Sequence, residues 1–273
     1  MQKRIGVFDS GLGGLTVVKA LLERLPDPSL TYFGDTARVP YGTKSQATII
    51  QFSEENIRFL LTLDVDMIVI GCHTASSLAL DRMRQLFDLP IFGVVDPGAK
   101  KAVESSKKSK IGVIGTKSTI ESRAYEAAIH QNNPDIEVLG IACPLFVPLI
   151  EEGWLEGEVV QKIALEYLKP FKDSKIDTLI LGCTHYPVLS PIIQGILGPQ
   201  VQLINPAEET ALTVSEHLSA TPHLNRGRKE HNEVQYYVSD APSHFQKMSA
   251  RFLGAPAKVV KYVDEARFER YSA

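Results

Sequence analysis

The chain has 273 residues, enough for two domains at about 150 residues each. Apolar residues make up 44% and charged residues 22%, and 19 Gly with 16 Pro are too few for a collagen-like or low-complexity chain. The 29 Lys and Arg against 32 Asp and Glu leave a net charge of −3, which argues against a strongly basic nucleic-acid binder or a polybasic membrane-surface protein.

After Met1-Gln2-Lys3-Arg4 the apolar run covers only Ile5 to Phe8 and stops at Asp9. A secretory core needs about 7–15 apolar residues and a spanning helix about 20, so a cytoplasmic protein without membrane contact is expected. Arg4–Phe8 is predicted as a buried strand. Leu15, Val18, Leu22 and Leu25 then recur at helical spacing, as do Phe52, Ile57, Leu60 and Leu61. Further β-branched runs follow at Met67–Gly71, Ile91–Val95, Lys110–Ile114 and Thr178–Gly182. Strands alternating with helical patterns predict an α/β fold with mainly parallel sheets. From about residue 207 come a helix-like start, a polar stretch from Thr221 to Glu233, and strand-like runs at Val234–Val238 and Lys258–Val263.

The chain repeats itself. Ile5–Ser10 resembles Ile111–Thr116, and Val39-Pro40 recurs as Val147-Pro148. Asp66–Cys72 resembles Asp177–Cys183, and Val95-Asp96-Pro97 resembles Ile204-Asn205-Pro206. The order is kept at a nearly constant offset, so a duplication is expected. It predicts two pseudo-symmetric α/β domains facing across a cleft. The first spans 1–97 with 207–273 returning to it, and the second spans 98–206.

Three widely spaced cysteines, Cys72, Cys143 and Cys183, suit neither a disulfide framework nor a zinc knuckle. Cys143 has no copy and reads as a buried structural thiol. Cys72 and Cys183 occupy equivalent places, each after a strand and a Gly, within Cys72-His73-Thr74 and Cys183-Thr184-His185. Ligands of open α/β sheets bind beyond the carboxyl ends of strands, so two thiols are expected to flank one ligand. A matched pair of thiols suits inversion of a carbon acid, one removing a proton from one face and the other delivering one opposite. Asp9-Ser10-Gly11-Leu12-Gly13-Gly14 lacks the dinucleotide register but offers backbone N–H groups to an anion and Asp9 to an ammonium group. Three other readings compete: a cysteine hydrolase or transferase with Cys183 as nucleophile and His185 as base, a non-catalytic binding module, and a pyridoxal-dependent racemase. Lys100, Lys101, Lys107, Lys108 and Lys110 read as a solvated face, and Trp154 and the tail tyrosines as packing residues.

Four motifs, Phe8–Gly14, Gly34–Gly42, Cys143–Leu149 and Leu181–Pro187, closely resemble the bacterial glutamate racemases of the aspartate/glutamate racemase superfamily, over at least residues 4–210. The resemblance implies a cofactor-independent, metal-free isomerase that makes D-glutamate for peptidoglycan and works as a homodimer. It implies that Cys72 deprotonates D-glutamate and Cys183 L-glutamate, with Asp9, Glu151 and His185 assisting proton transfer. Asp9, Ser10, Pro40, Tyr41, Gly42, His73, Thr74, Thr116, Thr119, Thr184 and His185 are the expected substrate-binding positions. Two positions depart from the family: His73 stands where it typically has Asn, and Asn205 where it often has Asp. His73 is expected to titrate near neutral pH and to shift the pH profile of the reaction.

Overall fold

Runs that are apolar on every residue are stable only between two covering layers, and the chain places its strands there. The computed structural model describes residues 3–221 and 234–264. The polar stretch beyond Thr221 lies outside them. The chain begins β1 (Arg4–Asp9), α1 (Leu15–Arg24), β2 (Ser29–Gly34), α2 (Gln46–Leu61), β3 (Met67–Ile70), α3 (His73–Leu86), β4 (Ile91–Gly93) and α4 (Val95–Ser105). It continues β5 (Lys110–Gly115), α5 (Lys117–Glu121), α6 (Ala124–Asn132), β6 (Glu137–Ala142), α7 (Phe146–Glu151) and α8 (Glu158–Ser174). Next come β7 (Thr178–Gly182), α9 (Ser190–Leu197), β8 (Gln202–Ile204) and α10 (Pro206–Ala220). The last elements are β9 (Val234–Val238), α11 (Pro242–Leu253) and β10 (Val260–Tyr262).

Two sheets result. One runs β10-β9-β2-β1-β3-β4 and the other β6-β5-β7-β8, and every pairing among the described residues is parallel. The order β2-β1-β3-β4 is repeated by β6-β5-β7-β8, so the repeats in the sequence fall on equivalent strands. Alternate residues serve opposite faces. Ile5, Val7, Met67 and Val69 pack into the core that holds α1, while Phe8, Ile68 and Ile70 pack with Ile57 and Met83 of α2 and α3. In the second sheet Ile111, Val113 and Ile180 pack with Ala99, Tyr125 and Ile129, and Leu179 and Leu181 face the other way. Both tail strands join the first sheet, β9 against β2.

Several local expectations need correction. The predicted strand Ile91–Val95 ends at Gly93 because Val94 is already helical and Val95 opens α4. Pro97 fits there, since the N–H it lacks has no helical partner in a first turn. Leu22 is 40% exposed, because α1 buries Leu21 beside Leu15, Val17 and Val18; Leu61, at the end of α2, is also exposed. Trp154 is 52% exposed and Tyr262 58%, so neither is a packing residue, whereas Tyr236 is buried.

Candidate active site

Each sheet presents a cysteine just past a central strand. Cys72 follows Gly71 at the end of β3 and is the residue from which α3 starts. Cys183 follows β7 directly and leads through Thr184 and His185 into a 3-10 turn, Tyr186–Leu189. Both thiols are buried, each residue keeping 6% of its surface. The registers pair Phe8 with Ile70 and Gly115 with Gly182, so the Asp9 loop runs beside Cys72 and the Thr116 loop beside Cys183.

Asp9 links the two halves electrostatically. It is 1% exposed, and burial raises its pKa, opposed by the Gly11 N–H and then by the His185 charge. Gly11 N donates to Oδ2 at 2.9 Å, while Oδ1 makes no hydrogen bond of ordinary geometry among the described residues. The same carboxylate acts on both thiols. Burial first, then Asp9, pushes Cys72 up to about 12, partly relieved by the Ala75 N–H and Ser10. Burial also pushes Cys183 up, and both Cys72 and Asp9 add to the rise. One buried carboxylate acts on both thiols and Cys72 acts on Cys183, so the two share a neighbourhood, though they belong to different cores.

The surroundings of the two thiols differ. Cys72 Sγ lies 3.7 Å from Ser10 Oγ. Cys183 Sγ lies 3.9 Å from His185 Nδ1, and His185 Nε2 lies 2.9 Å from Glu151 Oε1 at the end of α7. A carboxylate oxygen accepts, so Nε2 donates to Glu151 and Nδ1 is the ring nitrogen that faces the Cys183 thiol.

Contacts across the cleft tie the sheets together. Thr16 Oγ1 donates to Thr184 O at 3.2 Å. Gly13 must lack a side chain: a Cβ there would lie 2.1 Å from Thr184 Oγ1 and 2.5 Å from His185 Nδ1. Thr74, Thr116 and Thr119 form a hydroxyl cluster, with Thr116 Oγ1 2.9 Å from both others. Thr116 also caps α5. Ser118 Oγ donates to Gly42 O at 2.8 Å, and Gly42 packs on Thr116.

Three expected site residues sit differently from the simplest expectation. Tyr41 is buried, and its hydroxyl turns away to bond Asp35, while Asn56 Nδ2 donates to it at 3.1 Å. Arg38, ion-paired with Asp35 and Glu55, completes that cluster. Pro40 is exposed on the loop rim. His73 is buried and its Nδ1 lies 2.8 Å from the Tyr125 hydroxyl; burial lowers its pKa to about 3. It is neutral at physiological pH, which corrects the expectation that it titrates there. Tyr125, Arg38 and Asn56 escaped the sequence reading because their roles rest on long-range contacts without a local pattern. Cys143 is buried with a raised pKa, as a structural thiol should be. Among the described residues no group of three or more His, Cys, Asp or Glu could hold a metal, and no helix is long and apolar enough to cross a membrane.

Two parallel sheets with a cysteine at each equivalent strand end define a racemase-type fold, and the chain belongs to the Asp/Glu/hydantoin racemase family, whose profile matches residues 5–214. Within it the resemblance is to glutamate racemases. The one from Geobacter metallireducens is 47% identical over 252 residues, covering 92% of this chain and 93% of its own. The crystal structure of glutamate racemase from Francisella tularensis in complex with D-glutamate superposes with a TM-score of 0.89 at 40% identity, covering 96% of this chain and 98% of that one. The Thermus thermophilus enzyme in complex with beta-chloro-D-alanine gives 0.86 at 42%, covering 97% and 98%.

Proposed function

We propose that the chain interconverts L- and D-glutamate without a cofactor, Cys72 and Cys183 acting as paired acid and base on opposite faces of the α-carbon. The observation that carries this reading is the placement of both thiols at equivalent strand ends around Asp9. For L-glutamate the Cys183 thiolate takes the α-proton and the Cys72 thiol delivers its own to the other face; for D-glutamate the roles exchange. Free thiols this buried resist ionising, so the arriving ammonium group, attracted to Asp9, favours the thiolate. Hydroxyls of Ser10, Thr74, Thr116, Thr119 and Thr184 and the loop at Tyr41 and Gly42 are the proposed ligands of the two carboxylates. Pro40 and His73 shape the wall. Hydrogen bonds to the α-carboxylate that tighten as negative charge moves onto it lower the barrier. His185, held by Glu151, serves the Cys183 proton.

Circular dichroism of L-glutamate, D-glutamate and L-aspartate incubated with protein alone tests the reading. Loss of the signal from both glutamate enantiomers but not from L-aspartate is expected, and unchanged glutamate signals would refute it. The chain of Cys183, His185 and Glu151 favours a second reading, a cysteine hydrolase. Solvent deuterium entering the α-carbon supports the racemase, and its absence during turnover supports the hydrolase. In this reading the enzyme is cytoplasmic, homodimeric and supplies D-glutamate to peptidoglycan. We also assign 1–97 with 207–273 to one domain and 98–206 to the other, a division supported by β9 and β10 joining the first sheet.

A further inference from the structure

The duplication gives each half a thiol, and a helix of the tail reaches the polar partners of one of them, Cys183. Helix α7 ends in a Schellman turn: Gly153 N donates to Ile150 O at 3.1 Å and Trp154 N to Leu149 O at 2.8 Å. Gly153 has φ +82°, a conformation that L side chains rarely adopt. This turn leaves the Glu151 carbonyl, at the helix end, without a partner from the turn. Arg251 of α11 supplies it, its Nη1 donating to Glu151 O at 2.8 Å and to Ile150 O. A Cβ on Gly153 would meet Arg251 Nη2 at 2.9 Å, so Gly153 serves both the turn and the guanidinium. The next residue, Phe252, is buried and meets the His185 ring edge-on, with centroids 5.3 Å apart at 84°. One dipeptide of α11 therefore grips both members of the Glu151–His185 pair, one by its backbone and one by its ring. Among the described residues the near polar side chain of Cys72 is Ser10 of the first loop, not a residue of the tail.

We infer that Arg251 and Phe252 are positioning residues that hold Glu151 and His185 in register with Cys183, so that the tail makes one of two duplicated thiols kinetically distinct from the other. The inference rests on the two-cysteine reading above.

Racemisation has an equilibrium constant of one. The two directions must therefore keep equal kcat/KM in every variant, and the asymmetry is read from isotope effects. Loosening the brace raises the barrier for proton transfer at Cys183 alone. In Phe252→Leu and Arg251→Ala we expect kcat to fall by roughly 10–100-fold, the scale of a misplaced catalytic group. KM for both enantiomers should change little. The primary isotope effect with α-deuterated L-glutamate should rise while that with α-deuterated D-glutamate falls, because transfer at Cys183 now limits both directions. Arg251→Lys, which keeps one donor, should recover part of the loss. Isotope effects that stay equal, or a native kcat in Phe252→Leu, would overturn the inference. Cys72→Ser and Cys183→Ser are measured beside them. If these still racemise at the native rate, the two-cysteine reading itself fails; if they do not and the α11 variants behave as the native protein, only the brace fails.

Discussion

Replacing His73 with Asn should change the acid stability of the protein and leave its catalytic pH profile alone. In the folded state burial holds the imidazole neutral down to about 3, while the unfolded chain has the ordinary value of 6.5. Between those values the unfolded chain binds the extra proton. Stability is therefore complete above about pH 6.5 and is lost as pH falls toward the folded value. From pH 7 to pH 5 the loss due to His73 is about 2 kcal/mol, at about 1.4 kcal/mol per pH unit below 6.5. Asn carries no proton and lacks this dependence. At pH 7 the variant loses the fitted bond to Tyr125 and is itself less stable by about 1 kcal/mol. Urea unfolding of both proteins at the two pH values measures the difference. Native and variant losing stability in parallel would refute the buried neutral imidazole. Because His73 stays uncharged across the working range, the profiles of kcat/KM from about pH 6 to 9 should superimpose.

Gly13→Ala drives a methyl group into Thr184 and His185. We expect kcat/KM to fall on the order of 100-fold, with about 1–3 kcal/mol of overpacking seen in urea unfolding; native kinetics would contradict the close approach of the two lobes. In the free protein Cys72 sits at about 12 against an ordinary 9. Alkylation of Cys72 by iodoacetamide at pH 8, followed by peptide mapping, should run on the order of 1,000-fold slower than for a free thiol, and a rate near that of the free thiol would refute the assignment.

The strands and both cysteine loops were legible because local chemistry dictates them. A β-branched run closed by Gly must lie in a buried sheet, and the repeat of Gly71-Cys72 in Gly182-Cys183 marks equivalent strand ends. What was not legible depends on where distant elements meet. The bond from His73 to Tyr125 joins α3 to α6, and no spacing announces it. The hydroxyl of Tyr41 could have faced a ligand, but Asp35 and Asn56 claim it, and Arg38 in turn donates to Asn56. Arg251 and Phe252 lie in the part of the chain without a copy, so the duplication offered no guide to them. Their importance emerges once the tail folds back onto the first sheet and carries α11 to the end of α7.

Solvent isotope distribution at early conversion tests the central claim most directly. L-glutamate is placed in deuterium oxide with the protein, the reaction is stopped before a tenth has turned over, and the two enantiomers are separated and weighed by mass spectrometry. Two groups on opposite faces predict that the D-glutamate formed carries one deuterium at its α-carbon while the remaining L-glutamate stays almost free of it. A single group serving both faces would return the original proton to the product or label both pools alike, and that result would contradict the opposed thiols.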